Sequence, residues 1–317
     1  MARLINTIDD LKRHIALAAS FDFGKVLPHA KRAERKLLAL IGSDQYETFT
    51  EMGNLSDPES IPEQVRFLFE EAVANYGLLA ALPSLQILIT NSGLKRTDNP
   101  ESQNAEWRDK QDLSRSLLNI YREAIDEAFR LMEQNQADFP DWVQSDCYSV
   151  FSELVVKETR HFQDVFDIQN NRETFFALRP FIRESEEQYL LPLLGSKTLE
   201  LLKRSSQDQA ILRGQELARA AAVNFSVAKS AETGPFLFTS SAMVVTTDVQ
   251  PWEKVRLELS EEKLARLRSA RQRAGEEYLK MLKSHILNNT ALFPDYVDKT
   301  ELGITAKLIK KKSGLTL

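Results

Sequence analysis

The feature that most limits the fold of this chain is that it states one pattern twice. Residues 21–49, FDFGKVLPHAKRAERKLLALIGSDQYETF, and residues 174–202, TFFALRPFIRESEEQYLLPLLGSKTLELL, align on Gly42 and Gly195. In that register Phe23 meets Phe176, Glu34 meets Glu187, and LLALIGS falls on LLPLLGS. Further on, Ala74-Asn75-Tyr76 matches Val223-Asn224-Phe225, and Thr90-Asn91-Ser92 matches Thr239-Ser240-Ser241. Ala124, Asp126 and Glu127 fall on Ala274, Glu276 and Glu277. Each copy closes on Phe-Pro-Asp-aromatic, at Phe139–Trp142 and Phe293–Tyr296, and the spacing drifts only between 149 and 154 residues. Self-similarity held over such a span marks tandem structural units.

Each copy reads as helices. In the first, Thr7 caps a short helix carrying Ile8, Leu11 and Ile15, and a second helix runs from about Lys25 to Ile41, stopped by Gly42. A short helix comes next, near Gln45–Met52. Ser60-Ile61-Pro62-Glu63 then has capping-box form and opens a long helix to about Leu82. A last helix spans about 106–135, with Leu113, Leu117, Tyr121, Ala124, Ala128 and Met132 as its stripe. The second copy repeats the order, and its last helix starts at Ser260 with Leu264, Leu267, Ala274, Tyr278 and Leu282. Eleven glycines in 317 residues argue against Gly-rich nucleotide folds. The expected fold is mainly α: two tandem copies of a four-to-five-helix unit, each with a protruding loop or short β-hairpin. The units are placed at 1–142 and 143–300, with a basic tail at 301–317. Residues 143–173 join the second unit because Val155, Phe162, Val165 and Phe166 are too apolar for a solvated linker.

Charge divides unevenly, with a balance of −8 in residues 1–150 and +3 in the rest. Neither half is basic enough for reading nucleic-acid sequence. The single Cys147 excludes an internal disulfide and fits a reducing compartment. The first residues lack an apolar signal region, and no stretch approaches the ~18 apolar residues of a membrane span. The chain therefore reads as soluble and intracellular, with no membrane contact.

Catalytic chemistry finds little to stand on. His14, His29, His161 and His285 form no metal-binding spacing, and no phosphate-cradling or nucleophile-elbow motif is present. Cys147 reads as an inert thiol rather than a nucleophile. The repeated Glu34 and Glu187 read as helix-surface ion pairs or inter-unit contacts, because the Glu-x-x-His partners of a di-metal bundle are absent. Trp107, Trp142 and Trp252 read as packing residues, and Lys307, Lys310, Lys311 and Lys312 as a solvated basic tail. No catalytic, cofactor or metal residues are assigned.

Two broken segments, 84–104 and 231–250, carry apolar residues in extended form. An apolar arm is costly unless something covers it. It either folds onto its own unit or inserts into a neighbouring subunit. The candidate protein-interaction residues are Leu85, Ile87, Ile89, Leu94, Lys95 and Arg96 in the first arm, and Phe236, Phe238, Met243 and Val245 in the second.

The order of these pieces resembles the head–tail connector (head-completion, or adaptor) proteins of tailed bacteriophages. The pieces are an N-terminal helix, an apolar helix ending L-x-x-L-[IL]-G, a long A-N-[YF] helix, a protruding loop and a final helix. The chain also looks like an uncharacterised prophage-type family that carries this unit in tandem. The resemblance covers about residues 3–142 and 150–296. It implies a virion protein made in the bacterial cytoplasm that packs side by side into a ring, twelvefold through the portal. Its partners would be itself, the portal, and a tail or second adaptor protein, with loops 84–97 and 232–246 at the contacts. DNA would only pass non-specifically through the channel, for which an acidic balance is suited. Duplication departs from the simplest connectors and leaves the subunit count open. A cellular helical scaffold with no viral role is the alternative. An enzyme would be distinguished by a deep pocket with perturbed titratable groups.

Overall fold

The computed structural model describes residues 3–52, 59–85, 87–90, 93–96, 107–233, 236–238, 243–245 and 260–298. Unit one contains α1 (Ile8–His14), α2 (Leu27–Ile41), α3 (Ser43–Glu51) and α4 (Ile61–Leu85). Next come the strands β1 (Ile87–Thr90) and β2 (Gly93–Arg96), then α5 (Trp107–Gln134) and α6 (Pro140–Val143). After a linking α7 (Asp146–Ser152), unit two has α8 (Thr159–Gln163), α9 (Arg172–Ser185), α10 (Leu191–Lys203) and α11 (Gln209–Thr233). It ends with β3 (Phe236–Phe238), β4 (Met243–Val245) and α12 (Glu261–Asn288). The fold is mainly α, and each unit pairs two long helices, α4 with α5 and α11 with α12.

The expected signals act where they stand. Thr7 and Asp10 close a capping box on α1, Ser60 and Glu63 exchange the same bonds before α4, and Ser260 caps α12. Gly42 and Gly195 both take positive φ, +84° and +74°, so each copy turns sharply between an apolar helix and a short one. In α10 this splits the element at Gly195, and its second half is the counterpart of α3.

Two registers differ from the sequence alignment. A π-helical turn, Glu186–Leu190, comes after α9 and adds one residue that unit one lacks. Before it, Val26, Ala30 and Ala33 correspond to Leu178, Ile182 and Ser185. After it, Leu37 and Ile41 correspond to Leu190 and Leu194, all buried. The counterpart of Glu34 is therefore Glu186, not Glu187. Both are buried carboxylates rather than surface ion pairs, and they accept backbone N–H groups from the opening segments of their units. Leu4 and Ile5 donate to Glu34, and Val155 donates to Glu186.

The last helices pair one turn away from the expected register. Asn135 and Asn289 end α5 and α12 with similar backbone angles, and each Nδ2 donates to the carbonyl four residues earlier. That register sets Ala128 and Met132 on Leu282 and Ile286, all four buried, and Ala124 on Tyr278 rather than Ala274. It also sets Tyr121, 4.8 Å from the Tyr76 ring, on Gly275, which lies against Phe225. The α5 stripe is buried as expected except at Leu113, which is 45% exposed. In α12 only Leu282 of the expected stripe is buried.

Packing places the border between units later than residue 142. Val143 and Tyr148 lie on the first core, whereas Leu154 opens the second. Trp142 and Tyr148 hold α6 and α7 together with ring centres 4.7 Å apart.

Candidate interaction surfaces and the buried seam

Both broken segments contain antiparallel hairpins. In the first, Ile87 pairs with Arg96, Leu88 with Lys95, Ile89 with Leu94 and Thr90 with Gly93. The side chains of Ile87, Ile89, Leu94, Lys95 and Arg96 lie outside the described residues, and Leu85 is half-buried against the first core. Apart from the end of α4, no described element packs on this hairpin to a comparable extent. The second hairpin is seated on its own unit. Phe236, Phe238 and Met243 are buried in the second core, with Phe236 set edge-on to Phe181 at 5.7 Å. The Met243 N–H donates to the Asp167 carbonyl at 3.2 Å, and the Ser230 hydroxyl donates to the Met243 sulfur at 3.7 Å. These three residues are therefore core: of the two alternatives for this arm, it folds onto its own unit, and they are not free for the protein-interaction role assigned to them. Val245 belongs to β4, with its side chain outside the described residues.

The two units differ here because of the helix that precedes the turn at glycine. Asn171 caps α9 by accepting from Glu173 and Thr174, so that helix extends far enough for β4 to pack on it. In unit one Asp22 instead closes a tight 3-10 turn, Phe23–Lys25, which lies on α4. Phe21 and Phe23 are packed against the core there.

A charged seam joins the units. The Arg172 guanidinium is buried over the Phe129 ring of unit one at 4.6 Å, donates to Thr159 Oγ1 at 2.7 Å, and pairs with Glu133 of α5. Beside it, Phe129 meets Phe176 edge-on at 5.6 Å, and the Tyr121 hydroxyl donates to Glu173 at 2.6 Å. Burial pushes Glu133 up to about 7, outweighing the attraction of Arg172, and also raises Asp126. Burial, reinforced by Arg219 and Lys157, pushes His161 down to about 3, so its ring is neutral. The seam encloses a cavity of about 40 Å³ between Phe129, Glu133, Trp142, Tyr148, Lys157 and Arg172. That is room for a water or two, an order of magnitude below a metabolite site. The shifted groups are accounted for by burial in a joint. Sequence reasoning missed this seam, because Glu133 and Arg172 lie far apart in the chain and belong to no motif.

Each opening-segment glutamate lies under a surface groove, and the grooves occupy equivalent positions. One, of about 300 Å³, is lined by Arg3, Lys31, Glu34, Arg35, Leu38 and Tyr46. Its counterpart, of about 550 Å³, replaces Lys31, Glu34, Arg35, Leu38 and Tyr46 by Arg183, Glu186, Glu187, Leu191 and Leu199.

The remaining candidate residues are held individually. His14 lies buried 3.5 Å from Glu70, which also pairs with Arg66 at 2.7 Å and Arg13 at 3.6 Å. His29 lies 3.4 Å from the Ser84 hydroxyl, and His285 lies 2.7 Å from the Ala210 carbonyl. The Cys147 thiol is half-buried and directed at the Ala39 carbonyl at 3.5 Å. Among the described residues no three His, Cys, Asp or Glu side chains are grouped to hold a metal ion. No described helix is long and apolar enough to cross a membrane. Trp252 and the lysines of the tail lie outside the described residues.

One family description fits the chain, and it fits twice: the family of unknown function DUF6712 matches residues 35–152 and again 191–305. No curated protein and no solved structure matches it.

Proposed function

We propose, for a chain that belongs to the family of unknown function DUF6712, a structural role without catalysis: a ring-forming adaptor between portal and tail at the head–tail joint of a tailed phage. The phage setting comes from the resemblance of element order. The observation that carries the assembly role is the unequal fate of two equivalent hairpins. In unit two the hairpin completes its own core, whereas in unit one the Phe23–Lys25 turn packs on α4 and, among the described residues, only the end of α4 meets the hairpin to a comparable extent. An antiparallel strand pair has edges suited to adding to a neighbour or to the portal. The neighbour, the portal and a tail-side protein are the partners of this reading, and the virion is its location.

Mass photometry with negative-stain imaging tests it. A closed ring with a central hole is the expected result, for the chain alone or with a portal. Replacing residues 87–96 by a short turn should abolish the ring while leaving the melting temperature nearly unchanged. The same excision at 236–245 removes three core side chains and should lower that temperature. A chain that stays monomeric alone and with portal, with or without residues 87–96, would favour the cellular scaffold reading.

A further inference from the structure

The groove of unit two has a floor and rim that its counterpart lacks. Its floor is apolar, formed by Leu154, Leu199 and Leu191, and Leu191 is 39% exposed although it is a leucine. Three acids, Glu153, Glu187 and Glu200, stand on the rim with their side chains in solvent. Lys203 pairs with buried Glu186 at 2.9 Å and lies 3.8 Å from Glu200, and Arg183 pairs with Glu153 at 3.3 Å, so the lining carries four acids against three cations, with Arg204 at one edge. In the groove of unit one the rim is Arg3, Lys31 and Arg35, of opposite sign.

The described chain ends beside this groove. Asp295 pairs with Lys197 at 3.0 Å, and Lys197 adjoins Ser196 in the groove wall. Asp298 is tied to Lys283 at 2.8 Å. The last nineteen residues of the sequence, KTELGITAKLIKKKSGLTL, combine Lys299, Lys307, Lys310, Lys311 and Lys312 with one acid, Glu301, and with Leu302, Ile304, Leu308 and Ile309. Lys307 is nine residues past Asp298, a reach of up to about 30 Å in extended chain. The stretch Ser196–Glu200 rises only ~6 Å along its helix.

From these placements we infer that residues 299–317 of the same chain dock in the groove of unit two. Their apolar residues cover Leu191, the exposed leucine of the groove, and their lysines meet Glu187, Glu200 and Glu153. Burying an exposed leucine supplies the affinity, and the rim charges select this groove over the cationic one of unit one. The inference does not depend on the adaptor role, because it concerns a contact within one chain.

Zero-length carbodiimide cross-linking of the full chain, mapped by mass spectrometry on the monomer fraction, tests it. Links from Lys307 or Lys310–Lys312 to Glu187 and Glu200 are expected in preference to the other exposed acids. In a Glu187→Lys/Glu200→Lys chain, proximity is read through the remaining link to Glu153, which should fall about tenfold as two surface attractions become repulsions. Leu191→Ser, a neutral change at an exposed position, removes the apolar contact without altering the rim charge and should lower all three links. Links spread evenly over the acids of both units would overturn the inference. So would links formed only between copies when ¹⁴N- and ¹⁵N-labelled chains are mixed.

Discussion

The Arg172 guanidinium and the Phe129 ring, 4.6 Å apart, come from different copies of the repeat, and the joint between the copies is built around them. Arg172 is the buried cation facing Glu133 and the partly buried Asp126. Removing it strands those carboxylates, a change that typically costs about 3–5 kcal/mol. Arg172→Met should therefore lower unfolding stability at pH 7.5 by about that much in urea titration. A loss below about 1 kcal/mol would mean the seam is far more hydrated than its geometry indicates.

The seam also sets a pH response with two opposing slopes. Glu133 holds its proton up to about 7 when folded, against 4.5 ordinarily, so its contribution is full below 4.5 and lost as pH rises to 7. His161 is neutral down to about 3 when folded, against 6.5 ordinarily, so its contribution is full above 6.5 and lost as pH falls to 3. Between 4.5 and 6.5 the two nearly cancel. Glu133→Gln removes one slope, so stability should then decline on acidification across that window, as read by melts at stepped pH. Parallel curves for the two proteins would remove Glu133 from the titration.

Unit one places Glu70 on α4 among Arg13, Arg66 and His14 of its own unit, whereas the equivalent position on α11 is Arg219, whose charge is met by Glu158. The opening segments are thus keyed by charge, each to its own long helix. Glu70→Arg would set a third guanidinium beside two others in a buried place, with an expected loss of at least about 3 kcal/mol. Denaturant midpoints would show it, and an unchanged midpoint would mean that the cluster opens to water.

A β-carbon at Gly275 would stand 2.7 Å from the Phe225 ring, which is itself stacked on Tyr189 at 3.8 Å and has little room to retreat. Helix propensity favours Ala over Gly by about 1 kcal/mol, but overpacking of this kind costs about 1–3. Gly275→Ala should be destabilising on balance, and Phe225→Leu added to it should recover part of the loss. A higher melting temperature for the single variant would show that the α11–α12 contact yields easily.

The caps and the glycine turns were legible because each depends on residues close in sequence, and the duplication because it is a likeness of the sequence with itself. Two pairings slipped for a shared reason. A helix nearly repeats itself after four residues, so Ala124 on Ala274 looked as good as Ala124 on Tyr278. A one-residue π-turn leaves no mark in composition, so Glu187 stood in for Glu186. The seating of Phe236 on Phe181 was left open because it depends on how far α9 extends, which Asn171 decides from a distance. The seam was invisible because desolvation creates it, and single positions do not report desolvation.

Lys283 and Leu287 of α12 hold the places that Phe129 and Glu133 hold in α5, and Ser20 stands where a second Arg172 would be. Lys283 is engaged by Asp298, and Leu287 is 42% exposed. The outer ends of the molecule are thus blunt with respect to its internal splice. A tandem gene product that kept the splice chemistry at both ends would string into open filaments at any concentration above the strength of one joint. Among the described residues that chemistry occurs once, so joining further copies would call on a separate contact, one that can be regulated independently of folding.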